Sequence, residues 1–158
     1  MSPLVVTDTS CLIALSGVGR LGLLPALFTD VVAPHAVVAE YEPKASAPLP
    51  GWLREVEVAD RAGVRRLLLR GLDWGESEAI TLARSLPGAL LLADERRGRR
   101  AAAGFGLPIL ETAGLLLTAK REGRLAAVRP VLDEMRDRHG FRLADAIYEQ
   151  VLREAGED

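Results

Sequence analysis

Two short apolar runs, each leading to an aspartate, constrain the fold of this sequence more than any other feature. Residues 4–6 lead to Asp8, and the run ALLLA at positions 89–93 leads to Asp94. Such runs are too short and too uniformly apolar for amphipathic helices, so they predict central parallel strands buried on both faces. The segment TSCLIAL after Asp8 has helix-capping residues followed by apolar residues at helical spacing, which predicts a strand, an acidic turn and a helix.

The rest of the chain alternates predicted strands with predicted helices. Further strands are predicted over residues 30–33, 53–59 and 107–110. Further helices are predicted over residues 21–28, from Pro34 onwards, and over 64–69, 76–86, 95–104, 111–122, 126–138 and 143–154. This pattern predicts a single domain over residues 1–158, with a three-layer α/β/α sandwich around a central, mainly parallel sheet.

Composition narrows the class of protein. The hydrophobic content of 49% is enough for a core covered on both faces, and no apolar run approaches the roughly 18 residues of a membrane span. No signal peptide is recognisable, so we expect a cytoplasmic protein without membrane contact. The formal charge of -2 does not favour coating of nucleic acid through bulk charge. The single cysteine, Cys11, is expected to be a small buried hydrophobe and not a catalytic thiol.

Four carboxylates are candidates for one cluster. Asp8 and Asp94 follow strands, whereas Glu40 and Glu76 lie on predicted helices, and parallel βα units bring such termini toward one sheet edge. Converging carboxylates repel one another, so a hard divalent cation with oxygen ligands, Mg²⁺ or Mn²⁺, is the expected occupant. The alternative is that these acids only cap helices, where the macrodipole stabilises them.

Five segments in order resemble the PIN-domain nucleases, specifically a small prokaryotic branch related to VapC-type toxins of toxin–antitoxin pairs. The segments are VVTDTSCLIAL, VVAPHAVVAEY, LDWGESEAITLA, LLLADERRGRRAA and GLLLTAKREGRL, and the resemblance extends over most of the chain. The resemblance implies that Asp8, Glu40 and Asp94 bind metal, with Ser10 supporting Asp8.

The third acid has two candidates under this resemblance. The branch favours the glutamate directly after a glycine, which is Glu76, whereas alignment of the following Ala-Ile with the commoner toxin pattern indicates Glu78. We take Glu76 as the third acid and Glu78 as a supporting residue.

The basic segment ERRGRR after Asp94 has two interpretations. Arg99, which the resemblance singles out, and Arg100 are predicted to bind the phosphates of the substrate, because guanidinium groups match phosphate geometry. The alternative is an ordinary solvated helix face. Trp74 similarly either stacks on a base or packs at the edge of the domain.

Together these features predict a metal-dependent endoribonuclease in which water attacks the phosphodiester. By resemblance it is expected to be toxin-like, with RNA as substrate, a possible cognate antitoxin as partner and a homo-oligomeric state. One rival is a PIN-like protein that is catalytically silent and only binds RNA or a partner. A less favoured rival is a receiver-type phospho-acceptor module, for which no predicted strand ends in the required lysine.

Overall fold

A five-stranded parallel sheet forms the centre of the computed structural model, which describes residues 4–158. The strands are β1 (Leu4–Thr7), β2 (Asp30–Pro34), β3 (Leu53–Val56), β4 (Leu90–Leu92) and β5 (Ile109–Leu110). All four strand pairings in this part of the chain are parallel, in the order β3-β2-β1-β4-β5. The predicted parallel sheet is therefore confirmed.

Helices flank this sheet and complete the predicted three-layer sandwich. They are α1 (Thr9–Gly17), α2 (Leu23–Leu27), α3 (His35–Tyr41), α4 (Arg61–Leu69), α5 (Trp74–Ser85), α6 (Arg96–Gly104), α7 (Thr112–Arg121), α8 (Arg129–His139) and α9 (Asp145–Ala155). A 3₁₀ turn over Glu42–Lys44 follows α3. None of the helices within residues 4–158 is long and apolar enough to cross a membrane.

The predicted elements differ from the observed ones mainly at their ends. The edge strands are shorter than predicted, since β3 ends at Val56 and β5 has two residues. Helix α5 begins at Trp74, two residues earlier than predicted, because the Asp73 side chain accepts a hydrogen bond from Glu76 N and caps it.

The strand order determines where a site can form. The chain places β2 and β3 on one side of β1 and then β4 and β5 on the other, so a topological switch point lies between β1 and β4. In open parallel sheets, ligands bind outside the carboxyl ends of the strands at such a point. The order also differs from the 2-1-3-4-5 order of receiver modules, so the receiver interpretation does not match this fold.

The register between the two central strands brings the predicted aspartates to this switch point. Thr7 pairs with Leu92, and both residues are fully buried. Asp8 directly follows Thr7, and Asp94 lies two residues beyond Leu92. Both aspartates therefore leave the sheet at the same edge and next to each other.

Candidate active site

Asp8 joins the ends of the two central strands. Its side chain is buried, with 7% of the residue exposed, and its Oδ1 accepts a hydrogen bond from Cys11 N at 2.9 Å. Its Oδ2 accepts a hydrogen bond from Asp94 N at 3.2 Å. The helix-cap interpretation is therefore correct for one oxygen of Asp8, while the other oxygen binds the chain just after β4.

Asp94 binds the start of helix α7. Its Oδ1 accepts a hydrogen bond from Thr112 N at 2.8 Å, and its Oδ2 accepts one from Thr112 Oγ1 at 2.6 Å. The free N–H groups and the positive end of the helix dipole make this a favourable place for a carboxylate. Asp94 thereby links the carboxyl end of β4 to α7.

The two aspartates are electrostatically strained. Burial, followed by repulsion from Asp94, raises the pKa of Asp8 to about 8, although the N–H groups of Cys11 and Asp94 oppose this rise. Burial likewise raises the pKa of Asp94, and Glu111 adds to the effect, while Thr112 and Arg99 oppose it. Two neighbouring carboxylates that cannot both ionise easily are a feature of functional sites.

The neighbouring thiol does not provide an alternative nucleophile. Cys11 is fully buried, and burial, with Asp94 and Asp8, raises its pKa well above the ordinary value. Since the thiolate is the reactive form of cysteine, this environment keeps Cys11 inert. The prediction that Cys11 is a buried hydrophobe is confirmed.

Glu40 approaches the site from helix α3. Its Oε2 accepts a hydrogen bond from Thr9 Oγ1 at 2.7 Å, and its Oε1 accepts one from Gly75 N at 3.0 Å. A Cβ atom at Gly75 would lie only 2.7 Å from Oε2, so glycine is needed for this close approach. Glu40 therefore connects the residue after Asp8 to the residue before Glu76.

Glu76 has one occupied and one unoccupied carboxylate oxygen. Its Oε1 accepts a hydrogen bond from Asp73 N at 3.1 Å, which completes a capping box at the start of α5. Its Oε2 is buried and has no hydrogen-bond partner. Burial raises the pKa of Glu76, with the Asp73 carboxylate adding to the rise. Asp8, Glu76 and Gly98 line the same small cavity.

Glycine at position 98 makes room for this unoccupied oxygen. Gly98 is buried in the basic helix α6, and a Cβ atom there would lie 2.9 Å from Glu76 Oε2. Any larger residue would displace the carboxylate or the helix. The structure therefore reserves space at the point where Glu76 faces α6.

Glu78 lies on a different face of α5 and in a different cleft, which His35 and Arg61 also line. Its Oε1 accepts a hydrogen bond from Ala36 N at 2.9 Å, and its Oε2 accepts one from Arg61 Nη1 at 2.7 Å. Both oxygens of Glu78 thus hold α3 and α4 against α5. This contrast favours Glu76 as the third acid, although that assignment stays a prediction.

Ser10 and the predicted substrate arginines lie around Asp94. Ser10 and Asp94 line one cleft of about 310 Å³, which is closed on another side by Phe141 and Arg142. Arg99 lies in an adjoining groove and donates from Nη1 to Glu111 Oε1 at 2.6 Å. Arg100 is exposed on the outer surface of α6. Substrate binding by Arg99 and Arg100 and support by Ser10 therefore stay predictions.

The residues fit a divalent cation by their chemistry. Within residues 4–158, no group of three or more His, Cys, Asp or Glu side chains is already arranged to hold a metal ion. The donors are nevertheless of the kind that Mg²⁺ and Mn²⁺ prefer, since Asp8 and Asp94 repel each other and the buried Oε2 of Glu76 lacks a partner. A cation at this place would reduce the repulsion between Asp8 and Asp94 and would give Glu76 Oε2 a partner.

Sequence reasoning missed the small residues that position the acids. Thr9, Gly75, Gly98 and Thr112 each contact or make room for one of the four predicted carboxylates. The glycine within the helical segment RRGRR was a signal, because glycine inside a helix costs about 1 kcal/mol and usually has a packing reason. The threonines carried no comparable signal, because their partners are distant in sequence.

Comparison with known proteins agrees with this arrangement. Residues 4–157 match a family model described as a PIN domain. A comparison with curated proteins found no match. The family match spans the sheet, the flanking helices and all four predicted acids.

Proposed function

The chain belongs to the PIN-domain family, a nuclease fold, and from this premise we propose that it is a divalent-metal-dependent endoribonuclease. The substrate class is RNA, and the reaction is hydrolysis of a phosphodiester bond by water. The observation that carries the proposal is the buried Asp8–Asp94 pair at the switch point between β1 and β4.

Each acid has a separate part in this proposal. Asp8 and Asp94 would hold the cation, because they end adjacent strands and their mutual repulsion favours positive charge between them. Glu76 would contribute its unoccupied Oε2 from α5. Glu40, the remaining predicted metal ligand, binds Thr9 and Gly75 and would hold the segments that carry Asp8 and Glu76 beside the cation.

A bound Mg²⁺ or Mn²⁺ supplies Lewis-acid charge neutralisation and lowers the pKa of water to within reach of a protein base. One of the four acids would accept the proton that the attacking water releases. The apolar surroundings of Asp8 exclude bulk water and strengthen the electrostatic interactions there. No serine, cysteine or histidine nucleophile takes part.

The proposed biological setting follows from the resemblance of the sequence to toxin-like PIN proteins. In that setting the protein is the toxin of a toxin–antitoxin pair, binds a cognate antitoxin and acts as a homo-oligomer. In the same proposal, residues 4–158 form a single domain. A short reading frame for a DNA-binding protein directly upstream of the gene would support this setting.

A protein that binds RNA without cutting it is the second candidate function. The observation in its favour is that Asp8, Asp94 and Glu40 each use both carboxylate oxygens for hydrogen bonds within the chain. Coordination of a metal therefore competes with existing contacts. The assay below distinguishes the two candidates.

The test is end-group analysis of a short single-stranded RNA incubated with the protein and Mg²⁺ or Mn²⁺. Water attack with departure of the 3′ oxygen leaves 5′-phosphate and 3′-hydroxyl ends, whereas attack by the ribose 2′-hydroxyl leaves a cyclic phosphate. We expect 5′-phosphate products from the wild type, and loss of cleavage by at least about 100-fold in EDTA or in Asp8→Asn.

Asp137→Asn is the matched control, because Asp137 is an exposed aspartate on α8 and the substitution removes the same charge. This variant should cut like the wild type. Cyclic-phosphate products, or cleavage that persists in EDTA and in Asp8→Asn, would reject the mechanism. Binding without cleavage by the metal-loaded wild type would establish the second candidate instead.

A further inference from the structure

Arginines are concentrated in one part of this acidic protein. Residues 61–105 contain nine arginines and five acidic residues, although the chain as a whole has a formal charge of -2. Two of these arginines are neutralised locally, because Arg61 pairs with Glu78 and Arg99 pairs with Glu111. The helices α4, α5 and α6 therefore carry an excess of positive charge at the side of the candidate site.

Two of the remaining arginines are held in place by one aromatic ring. The guanidinium carbon of Arg84 lies 3.8 Å from the ring centroid of Phe105, and that of Arg70 lies 6.0 Å from it. Arginine favours such stacking, which restrains the guanidinium and leaves its N–H edges available to other groups. In the described part of the chain, neither arginine has an acidic partner within 4 Å.

Arg97 connects this pair to the candidate site. It lies one helical turn before Ala101 and two turns before Phe105 on α6, and it donates from Nη1 to Gly71 O at 2.6 Å. It directly precedes Gly98, which faces the Glu76 carboxylate, and its positive charge opposes the rise that burial causes in the pKa of Glu76. Arg97 therefore lies between the ring-bound arginines and the carboxylates, on the opposite flank of α6 from Arg99.

An exposed aromatic residue lies at the same end of α5 as Glu76. Trp74 is 54% exposed although it is the first residue of the helix and is followed by the buried Gly75. Single-stranded nucleic acid is bound where phosphates meet arginines and bases stack on aromatic rings, and these arginines and the exposed indole supply both kinds of contact. A polyanion without flat bases would not need the indole.

We propose that Arg70, Arg84 and Arg97, together with Trp74, form a binding surface for single-stranded RNA that leads to the carboxylates. This inference rests on the proposed nuclease function and adds a path for the substrate on the α4–α5–α6 side of the site. The arginines contact successive phosphates, Phe105 keeps two guanidinium groups in place, and Trp74 stacks on a base. Arg99, which pairs with Glu111, is not part of this surface.

The experiment measures RNA binding without cleavage, in Asp8→Asn protein with EDTA. The anisotropy of a labelled 12-nucleotide single strand gives the association constant at several salt concentrations. In this background, Arg70→Gln with Arg84→Gln should reduce the slope of log K against log salt by about 1.4, since each phosphate contact on a single strand contributes about 0.7. If the salt curves of the variant and of its Asp8→Asn parent converge near 1 M, the variant binds the RNA roughly 25-fold more weakly at 0.1 M salt.

Three further proteins separate the interpretations. Arg124→Gln with Arg138→Gln removes the same charge from exposed positions outside residues 61–105 and should leave the slope unchanged. Arg70→Lys with Arg84→Lys should restore the slope, because lysine still binds phosphate as a point charge. Trp74→Leu should weaken binding roughly 5-fold or more without changing the slope, because stacking releases no counterions.

The outcomes also separate this inference from the proposed function. An unchanged slope in the Arg70/Arg84 variant, or an equal loss in the Arg124/Arg138 control, would overturn the binding surface even if the wild type cuts RNA. A reduced slope with no effect of Trp74→Leu would overturn the role of Trp74. A wild type that neither binds nor cuts RNA would instead reject the proposed function. Equal urea midpoints establish that the variants are folded.

Discussion

Replacing Asp8 by asparagine should stabilise the metal-free protein at alkaline pH and destabilise it at acidic pH. Burial and Asp94 raise the pKa of Asp8 to about 8, from an ordinary value of 3.8. Between these two values the folded protein holds a proton that the unfolded chain has released. The free energy of unfolding therefore falls as the pH rises from about 4 to about 8 and is constant above that window.

The magnitude follows from the difference between the two pKa values. About four units at 1.36 kcal/mol each give a destabilisation by the Asp8 carboxylate of at most about 5 to 6 kcal/mol above pH 8. Asparagine removes this electrostatic destabilisation. Its amide oxygen can still accept a hydrogen bond from Cys11 N, but its amide nitrogen then faces Asp94 N, and that hydrogen bond is lost. The lost bond costs about 1 to 3 kcal/mol. We expect a net gain of about 2 to 5 kcal/mol at pH 8.5.

The assay is urea denaturation in EDTA at pH 8.5 and at pH 4.5. Asp8→Asn should be more stable than the wild type at pH 8.5 and less stable, by up to about 2 kcal/mol, at pH 4.5, where about 1 kcal/mol of the wild-type penalty is already present. Asp137→Asn, at an exposed position, should change stability by less than about 0.5 kcal/mol at either pH. An Asp8→Asn variant that loses the same stability at both pH values would refute the claim that the Asp8 carboxylate is strained.

Two further substitutions test contacts outside the Asp8–Asp94 pair, one beside Glu76 and one at Glu157. Gly98→Ala places a methyl group 2.9 Å from Glu76 Oε2 and should lower the steady-state cleavage rate about 10-fold or more. Gly104→Ala is the control, because Gly104 lies in the same helix with open space around it, and it should cut RNA at the wild-type rate. Although burial opposes it, hydrogen bonds from Lys120 and two backbone N–H groups lower the pKa of Glu157 to about 2. Glu157→Gln should therefore lower the free energy of unfolding by about 1 to 2 kcal/mol in urea denaturation at pH 7. This difference should disappear as the pH falls from 4.5 toward 2. A loss of stability that does not depend on pH would contradict the ionic contribution of Glu157.

The central strands could be predicted from sequence because local preference and burial agree there. Apart from Asp30, residues 4–6, 30–33 and 89–93 are apolar or β-branched, and β1, β2 and β4 occupy these positions within one or two residues. The edge strands were predicted less accurately. Strand β3 pairs with β2 alone, so its length depends on one partner and not on its own pattern.

The adjacency of Asp8 and Asp94 was predictable in part. Parallel strands bring their carboxyl ends to one edge, but the sequence does not state that β1 and β4 are neighbours. That fact comes from the strand order, which depends on how the helices pack on both faces. The two aspartates therefore lie at the sheet edge that the sequence predicts, and the strand order explains why they are adjacent.

The choice between Glu76 and Glu78 required the structure. Residues two apart in a helix point to different faces, and the sequence does not show which face meets α6. The partners in the structure favour Glu76, because Glu78 binds Arg61 whereas Glu76 faces Gly98, and the assignment of the third acid stays a prediction. Both partners are more than ten residues away, beyond the reach of local pattern.

The central claim is that the acids at the switch point form one metal site, and a crystal of the wild-type protein soaked in Mn²⁺ tests it most directly. We expect an anomalous difference peak within about 2.5 Å of carboxylate oxygens from both Asp8 and Asp94, with Glu76 Oε2 turned toward it. Asp8→Asn crystals soaked in the same way should lose the peak. A peak elsewhere in the molecule, or an equally strong peak in Asp8→Asn, would contradict the account.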